Sequence, residues 1–348
     1  MNPFIFTTML LGLMLGTTMA LSSSHWLMVW MGLEINTLAI IPLMSQHHHP
    51  RATEAATKYF LTQATAATIM LFSATMNAWL TGLWHIQELT HPITSTMMIT
   101  ALALKLGLAP VHSWMPDVIQ GLNLLTGLIM STWQKLAPFT ILMQIQTNTH
   151  PTMILFGLAS TLIGGWGGLN QTQLRKIMAY SSIAHLGWMT LVMQFSPPLA
   201  LLALLTYFVM TTATFLLFKL NKTTTINTLA LSSTKLPAMT SMAPLLLLSL
   251  GGLPPMTGFM PKWMILQELT KQDLAPLATF AAISALLSLF FYLRLSYNMT
   301  LTTFPNTTTA TTPWRLPTSK PSLPLAISTM MSLLLLPLTP TIITTLTQ

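Results

Sequence analysis

The 348-residue chain is 52% hydrophobic and only 6% charged, whereas about a quarter of the residues in an ordinary soluble protein are charged. This composition excludes a soluble protein and predicts one that crosses a membrane many times. The absence of cysteine excludes disulfides, cysteine-ligated iron–sulfur clusters and thiol catalysis. The net charge of +8 is spread along the chain and forms no basic cluster, so nucleic acid is not an expected partner.

The apolar segments are long enough for helical spans and do not show the alternation of a β-barrel, so we expect an all-α polytopic membrane protein. No basic residue precedes the first segment, which argues against a signal or transit peptide. The eleven candidate spans are Phe4 to Leu21, His25 to Met44, Thr57 to Thr81, Thr94 to Ala109, Leu122 to Gln146, Thr152 to Leu169, Ile177 to Gln194, Leu199 to Leu220, Met239 to Leu269, Ala275 to Tyr297 and Leu323 to Leu346.

Alternating these spans across the membrane sorts the charged connections by side. One side has ten basic residues with Glu54, and the other has Lys271 with Glu88, Glu268 and Asp273. By the positive-inside rule the basic side is the cytoplasm or matrix, where the amino terminus also lies, and Gln348 lies opposite. The ten basic residues are Arg51, Lys58, Arg175, Lys176, Lys219, Lys222, Lys235, Arg294, Arg315 and Lys320.

Four charged residues fall inside predicted spans: Glu34, Lys105, Lys135 and Lys262. Each costs about 2.5 to 3.5 kcal/mol at a helix centre on insertion scales, so an intramembrane charge indicates a functional site. All three cations are lysines, which can lose a proton when buried, whereas arginine cannot. This favours proton transfer over static pairing.

Helix-breaking residues accompany the three lysines, and broken helices at membrane depth line cavities in transporters. The broken fourth and ninth spans lie five spans apart, which predicts two inverted five-helix repeats, residues 1–146 and 152–297, followed by a flanking helix at 323–346. The breakers are Gly107, Pro110 and Pro116 after Lys105, Pro138 after Lys135, and Gly251, Gly252, Pro254, Pro255, Gly258 and Pro261 before Lys262.

Two of the charged residues allow two interpretations each. Glu34 is either half of a structural ion pair or a gate that pairs with Lys105 and controls its proton. Lys262 follows Pro261, which suits the first turn of a half-helix, but the side chain could instead snorkel to the membrane interface.

Lys135 shares a helix face with Ser131 and Gly127, and Pro138 should bend that helix. We therefore expect a wet stripe of small residues beside this lysine.

His185 follows Ser181 and Ser182 by about one turn, and it either bridges lysines through water or packs as a hydrogen-bonded histidine. His112 is open to the same two interpretations, and Asp117 either caps a helix or faces the cavity. No phosphate loop, metal-ligand spacing or nucleophile triad is present in the sequence. We expect no metal and no bound cofactor.

Five stretches of the chain resemble the antiporter-like membrane subunits of respiratory complex I, the NADH:ubiquinone oxidoreductase, and especially their animal mitochondrial members. The stretches are residues 24–27 with Glu34, and residues 50–60, 104–110, 133–138 and 251–262.

The resemblance implies a pump module of two inverted five-helix units with no redox centre of its own. The family's glutamate–lysine pair falls on Glu34 and Lys105, its central lysine on Lys135, its connecting histidine on His185 and its exit lysine on Lys262. Quinone reduction in other subunits would drive proton movement from matrix to intermembrane space across the mitochondrial inner membrane.

Cofactors and partners are likewise implied by the resemblance alone. NADH, FMN, iron–sulfur clusters and ubiquinone would belong to the whole complex. The implied partners are the neighbouring chains 4 and 4L, accessory subunits and lipids such as cardiolipin. Bacterial relatives start with three extra helices, which leaves a flank here for neighbouring subunits. Two other functions stay open: a standalone cation/proton antiporter, and a scaffold whose charges only pin helices.

Overall fold

The structure, a computed structural model, describes residues 3–46, 49–89, 91–145, 151–234, 237–301 and 323–347. Every regular element in these ranges is a helix, apart from two isolated backbone bridges. The chain divides into two compact units, Met1–Ala159 and Ser160–Gln348. The expected all-helical membrane fold is confirmed.

The first unit begins with three long helices, and its later helices are shorter and interrupted. They are α1 Pro3–Ser22, α2 Trp26–Met44, α3 Pro50–Thr81, α4 Pro92–Leu106, α5 Trp114–Gly121, α6 Leu124–Ser131 and α7 Trp133–Gln144. The next helix, α8 Pro151–Gly168, contains the boundary between the units.

The second unit continues with the remaining helices of the chain. They are α9 Leu174–Met193, α10 Pro197–Asn221, α11 Ile226–Ala230, α12 Pro237–Gly251, α13 Phe259–Lys271, α14 Ala275–Thr300, α15 Leu323–Leu334 and α16 Thr339–Thr347.

Within the described ranges, four helices are long and apolar enough to cross a membrane: α1, α2, α10 and α14. A fifth candidate at the carboxyl end consists of two segments, Leu323–Leu334 and Leu336–Ile342, bent by 66°. The predicted ninth span is likewise two helices, α12 and α13. Apolar length therefore identifies some spans directly, while others are divided by breaks.

Threonine-rich helices satisfy their hydroxyl groups locally. The Oγ1 atoms of Thr68 and Thr100 each donate to the carbonyl three residues earlier, at 2.8 Å. Because the hydroxyl bonds to its own helix, threonine can face lipid without leaving a polar group unpaired.

Each unit has one backbone bridge of the same form between the loop before its second long helix and the loop after its third. In the first unit, Trp26 N donates to Trp84 O at 3.0 Å and Ile86 N to Ser24 O at 3.1 Å. In the second, Leu174 N donates to Thr224 O and Ile226 N to Thr172 O, both at 3.1 Å. In the first unit the bridge joins the loop before α2 to the loop after α3, and in the second unit it joins the loop before α9 to the loop after α10.

Candidate functional site

Lys105 lies in the last turn of α4, immediately before the predicted break. The helix ends at Gly107, whose φ of 77° requires a residue without Cβ, and its N–H donates to Ala103 O at 2.9 Å. The Lys105 side chain is buried, and its Nζ atom has no hydrogen-bond partner among the described residues. The carboxyl end of α4 favours the positive charge, but the ammonium lacks a direct partner there.

Glu34 lies in α2, and its carboxylate is held by Thr37. The Thr37 Oγ1 atom donates to Glu34 Oε2 at 2.9 Å, and no ion pair joins Glu34 to Lys105, both of which are described. The carboxylate does interact electrostatically with Lys105 and with Tyr59. Glu34 and Lys105 therefore form no contact pair in this structure.

Lys135 lies in the first turn of α7, just after a break that the sequence places too late. Pro138 is inside α7, and the interruption is at Thr132, where α6 ends. The Thr132 Oγ1 atom donates to Leu128 O at 2.8 Å, a back-bond that competes with regular helix geometry. The break therefore lies between Ser131 and Lys135 along the chain.

Lys105 and Lys135 line one cavity of about 20 Å³, to which each of the helices α2 to α7 contributes residues. A volume of about 10 to 15 Å³ suffices for one water molecule when polar groups surround it. The polar residues on its wall, besides the lysines, are Asn36, Thr37, Tyr59, Gln63 and Gln134.

Gln63 and Gln134 were not singled out from the sequence. Gln63 Nε2 donates to the Lys105 carbonyl at 3.5 Å, and Gln134 Nε2 is buried without a hydrogen-bond partner among the described residues. The sequence feature that could have identified them is a side-chain amide inside an apolar span, because burying an amide costs free energy unless it forms a hydrogen bond.

Lys262 lies in the second unit, in the first turn of α13, as predicted. Its Nζ atom donates to the Gly251 carbonyl at 2.8 Å, across the break between α12 and α13. Gly251 is the last residue of α12, where carbonyls lack partners within the helix. The side chain therefore binds the carboxyl end of α12.

His185 lies on α9, with its ring 5.4 Å from the Tyr207 ring and tilted by 43°. One turn earlier on the same helix, Ser181 donates to Met178 O at 2.7 Å, which leaves the serine oxygen free to accept. The buried Tyr292 ring packs beside Gly251 on the neighbouring helix α12. Both interpretations of His185, relay and packing, fit these contacts.

The remaining singled-out residues lie outside the Lys105 cavity. His112 Nδ1 is 3.2 Å from Pro110 O. Asp117 lies inside the first turn of α5, whose N-cap is Ser113, and pairs with Lys58 at 3.3 Å. Lys235, Arg315 and Lys320, three of the predicted topology signals, lie outside the described residues. In the part of the chain that the structure describes, no three His, Asp or Glu side chains are grouped to hold a metal ion.

Two family models together match residues 23–343. Residues 23–288 match the family described as NADH:quinone oxidoreductase/Mrp antiporter, and residues 289–343 match NADH dehydrogenase subunit 2 C-terminus. A NADH-ubiquinone oxidoreductase chain 2 from Tetraodon nigroviridis is 67% identical, over 99% of both chains. This chain belongs to the NADH-ubiquinone oxidoreductase chain 2 family.

Other chain 2 proteins and a solved structure extend the likeness. The chain 2 protein of Salmo salar is 62% identical over the whole of both chains. A chain of respiratory complex I from Thermus thermophilus, solved with bound aureothin, is 27% identical with a TM-score of 0.87, covering 99% of this chain and 81% of that one. The fold of the chain 2 family is thus an antiporter-like helical membrane fold.

Proposed function

We propose that this chain is a proton-translocating core membrane subunit of respiratory complex I, the NADH:ubiquinone oxidoreductase, in the mitochondrial inner membrane. Quinone reduction in other subunits drives protons from the matrix to the intermembrane space. The relay runs through Glu34, Lys105, Lys135, His185 and Lys262. The chain itself holds no redox centre, and NADH, FMN, iron–sulfur clusters and ubiquinone belong to the complex.

The observation that carries the proposal is the shared cavity of Lys105 and Lys135. Two buried lysines on one polar cavity can exchange a proton through a single water, because a lysine ammonium donates and a neutral lysine amine accepts. The Glu34 carboxylate acts electrostatically on Lys105 and can favour or release its proton as the surrounding charge changes.

The finer architecture is part of the proposal. Eleven spans form two inverted five-helix repeats, residues 1–146 and 152–297, with a flanking helix at 323–346. The matching backbone bridges and the two glycine-capped helix breaks support the repeat. The amino terminus lies in the matrix and the carboxyl terminus in the intermembrane space. Partners are chains 4 and 4L, accessory subunits and lipids including cardiolipin.

The test is Lys135→Met in the assembled complex, reconstituted in vesicles. Proton pumping and coupled quinone reduction should fall together, while the amount of complex on native gels stays the same. Leu142→Met, at another buried position of α7, is the matched control. Undiminished pumping by the Lys135 variant would overturn the proposal.

Two observations favour other functions, and each has its own outcome. The matched family's description also names the Mrp antiporter. Ion flux by the purified chain in liposomes, without redox substrate, would support a standalone antiporter.

The bond from Lys262 to Gly251 also suits a scaffold, which predicts that lysine substitutions impair assembly and nothing else.

A further inference from the structure

The break loop, residues 252–258 between α12 and α13, folds closely around Lys262 in the second unit. A Cβ at Gly252 would lie 3.0 Å from Lys262 Nζ and 3.1 Å from the Gly258 carbonyl oxygen. Gly258 in turn lies flush against α12, because a Cβ there would overlap the Ser249 carbonyl. The position of the break loop therefore fixes the space that the Lys262 side chain occupies.

A hydrogen bond ties the break loop to the carboxyl-terminal span. Thr257 is only 2% exposed, and its Oγ1 atom donates to the main-chain carbonyl of Ser332 on α15. Ser332 lies in the last turn of α15, where a helix leaves its carbonyl oxygens without N–H partners. The hydroxyl of Thr257 thus binds an end carbonyl of α15 and joins two segments that are 75 residues apart in sequence.

This use of a threonine hydroxyl differs from its use inside the spans. Thr190 and Thr211, both buried, donate to carbonyls of their own helices, three and four residues earlier, at 3.0 and 2.8 Å. Thr257 lies outside any helix and donates to a different segment of the chain. Because a buried hydroxyl without a hydrogen bond costs free energy, this contact specifies where the break loop lies relative to α15.

The contact lies next to the bend in the carboxyl-terminal span. The chain turns by 66° between Leu323–Leu334 and Leu336–Ile342, directly after the turn that contains Ser332. Pro337 lies in this bend and has no N–H to offer the carbonyl of Leu333, four residues earlier. Thr257 therefore holds α15 at the point where its regular backbone hydrogen bonding ends.

The two faces of α15 have different surroundings. The inner face packs against α10 and α12 and buries Leu325 and Ser332. The outer face exposes Ile327, Met330 and Leu334, which follow one another at helical spacing. In a membrane this outer face meets lipid or a neighbouring subunit, so a displacement of α15 from outside reaches the break loop through the Thr257 bond.

We propose that Thr257 is a positioning residue for Lys262. Its bond to the Ser332 carbonyl fixes the break loop against α15, and the fixed loop keeps the Lys262 ammonium at the carboxyl end of α12, where it donates to Gly251 O at 2.8 Å. A displacement of α15 therefore changes proton transfer at Lys262. This inference rests on the proposed function, because it supplies what orients the last lysine of the same relay.

The experiment removes the hydroxyl and then restores it. Thr257→Val keeps the shape of the side chain without the hydroxyl, whereas Thr257→Ser keeps the hydroxyl. Each complex is reconstituted in vesicles, and proton pumping and NADH:quinone turnover are measured per assembled complex. Thr257→Val should lower pumping and maximal turnover several-fold with an unchanged KM for quinone, which other subunits bind. Thr257→Ser should restore both rates.

Two control variants remove hydroxyls that the proposal does not use. Ser332→Ala removes a hydroxyl that donates to Thr329 O at 2.8 Å, and it leaves in place the main-chain carbonyl that Thr257 binds. Thr190→Val removes a bond within α9. Both should pump at the rate of the parent complex.

Three results overturn the proposal: normal pumping by Thr257→Val, an equal loss in Thr257→Ser, or an equal loss in Ser332→Ala. If Thr257→Val does not assemble, Thr257→Ala takes its place with the same criteria. The loss should also disappear when Lys262→Met is already present, because Thr257 acts through Lys262. A purely structural role would instead lower the residual pumping by the same factor in both backgrounds.

Lys135→Met and Lys262→Met, measured in parallel, separate the two levels of inference. If both stop pumping while Thr257→Val pumps normally, the lysine relay stands and the positioning role is wrong. If both pump normally, the proposed function fails whatever the Thr257 variants do.

Discussion

The broken helices of the two units have the same backbone but place their lysines differently. Gly107 and Gly252 both end a helix with φ near 77°, and the next helix begins at Trp114 and Phe259, in each case seven residues later (114 − 107 and 259 − 252). Lys105 precedes its break and has no hydrogen-bond partner among the described residues, whereas Lys262 follows its break and binds the Gly251 carbonyl. Both units therefore have the same backbone break. Whether the lysine lies before or after the break decides which groups surround its ammonium.

The following part of each unit shows the opposite contrast. In the first unit the chain is interrupted at Thr132, and Lys135 lies directly after the interruption. In the second unit α14 is one continuous helix of 26 residues, and its serines bond back to their own carbonyls. A continuous helix satisfies its own backbone hydrogen bonds. The interruption at Thr132 instead creates two helix ends, the end of α6 and the start of α7, close to Lys135 along the chain.

Lys105→Met should have the largest effect on function with the smallest effect on stability. Proton transfer by a positioned group contributes on the order of 100-fold or more, so pumping should fall by about that factor. Thermal stability of the complex should stay equal or rise, because an unpaired buried charge is removed. Vesicle pumping assays and thermal melts check this, and a marked loss of stability would show that the ammonium is paired after all.

Lys262→Met should reduce pumping and stability together. The Gly251 carbonyl loses its partner, and an unsatisfied buried acceptor costs about 1 to 3 kcal/mol. The melting temperature should therefore fall for this variant and not for Lys105→Met. Equal melting temperatures for the two variants would remove the contrast drawn between the units.

Gly107→Ala and Gly252→Ala should both destabilise, since a side chain at positive φ costs about 1 to 2 kcal/mol. Only the second should also disturb its lysine, because a Cβ at 252 lies 3.0 Å from Lys262 Nζ, while a Cβ at 107 meets Met115 Sδ at 3.3 Å. Pumping per assembled complex should be lower for Gly252→Ala. The reverse order would argue against the Gly251–Lys262 contact as part of the relay.

Thr132→Ala should have the smallest effect. It removes one back-bond, worth about 0.5 to 1.5 kcal/mol, and lets α6 and α7 approach a continuous helix. Pumping should fall moderately as Lys135 shifts. Ser288→Ala in the continuous α14, which loses a similar back-bond, is the control and should pump normally.

Much of the candidate site is determined by local sequence. A lysine in an apolar run, a glycine that can adopt positive φ and a proline in a first turn act within a few residues, so the breaks after Lys105 and before Lys262 were predicted correctly. The break near Lys135 was placed at Pro138 because proline is the stronger signal. The structure puts it at Thr132, where a hydroxyl bonds back to the helix.

The sequence by itself determined that the chain is helical, lies in a membrane, breaks its helices beside lysines and keeps charges where lipid disfavours them. Only the tertiary structure decided that Lys105 and Lys135 share a cavity, that Gln63 and Gln134 belong to its wall, and that Thr37 holds Glu34 instead of Lys105. The reason is physical. Composition, capping and proline chemistry act along the chain, whereas a cavity forms from several helices whose facing residues no local pattern records.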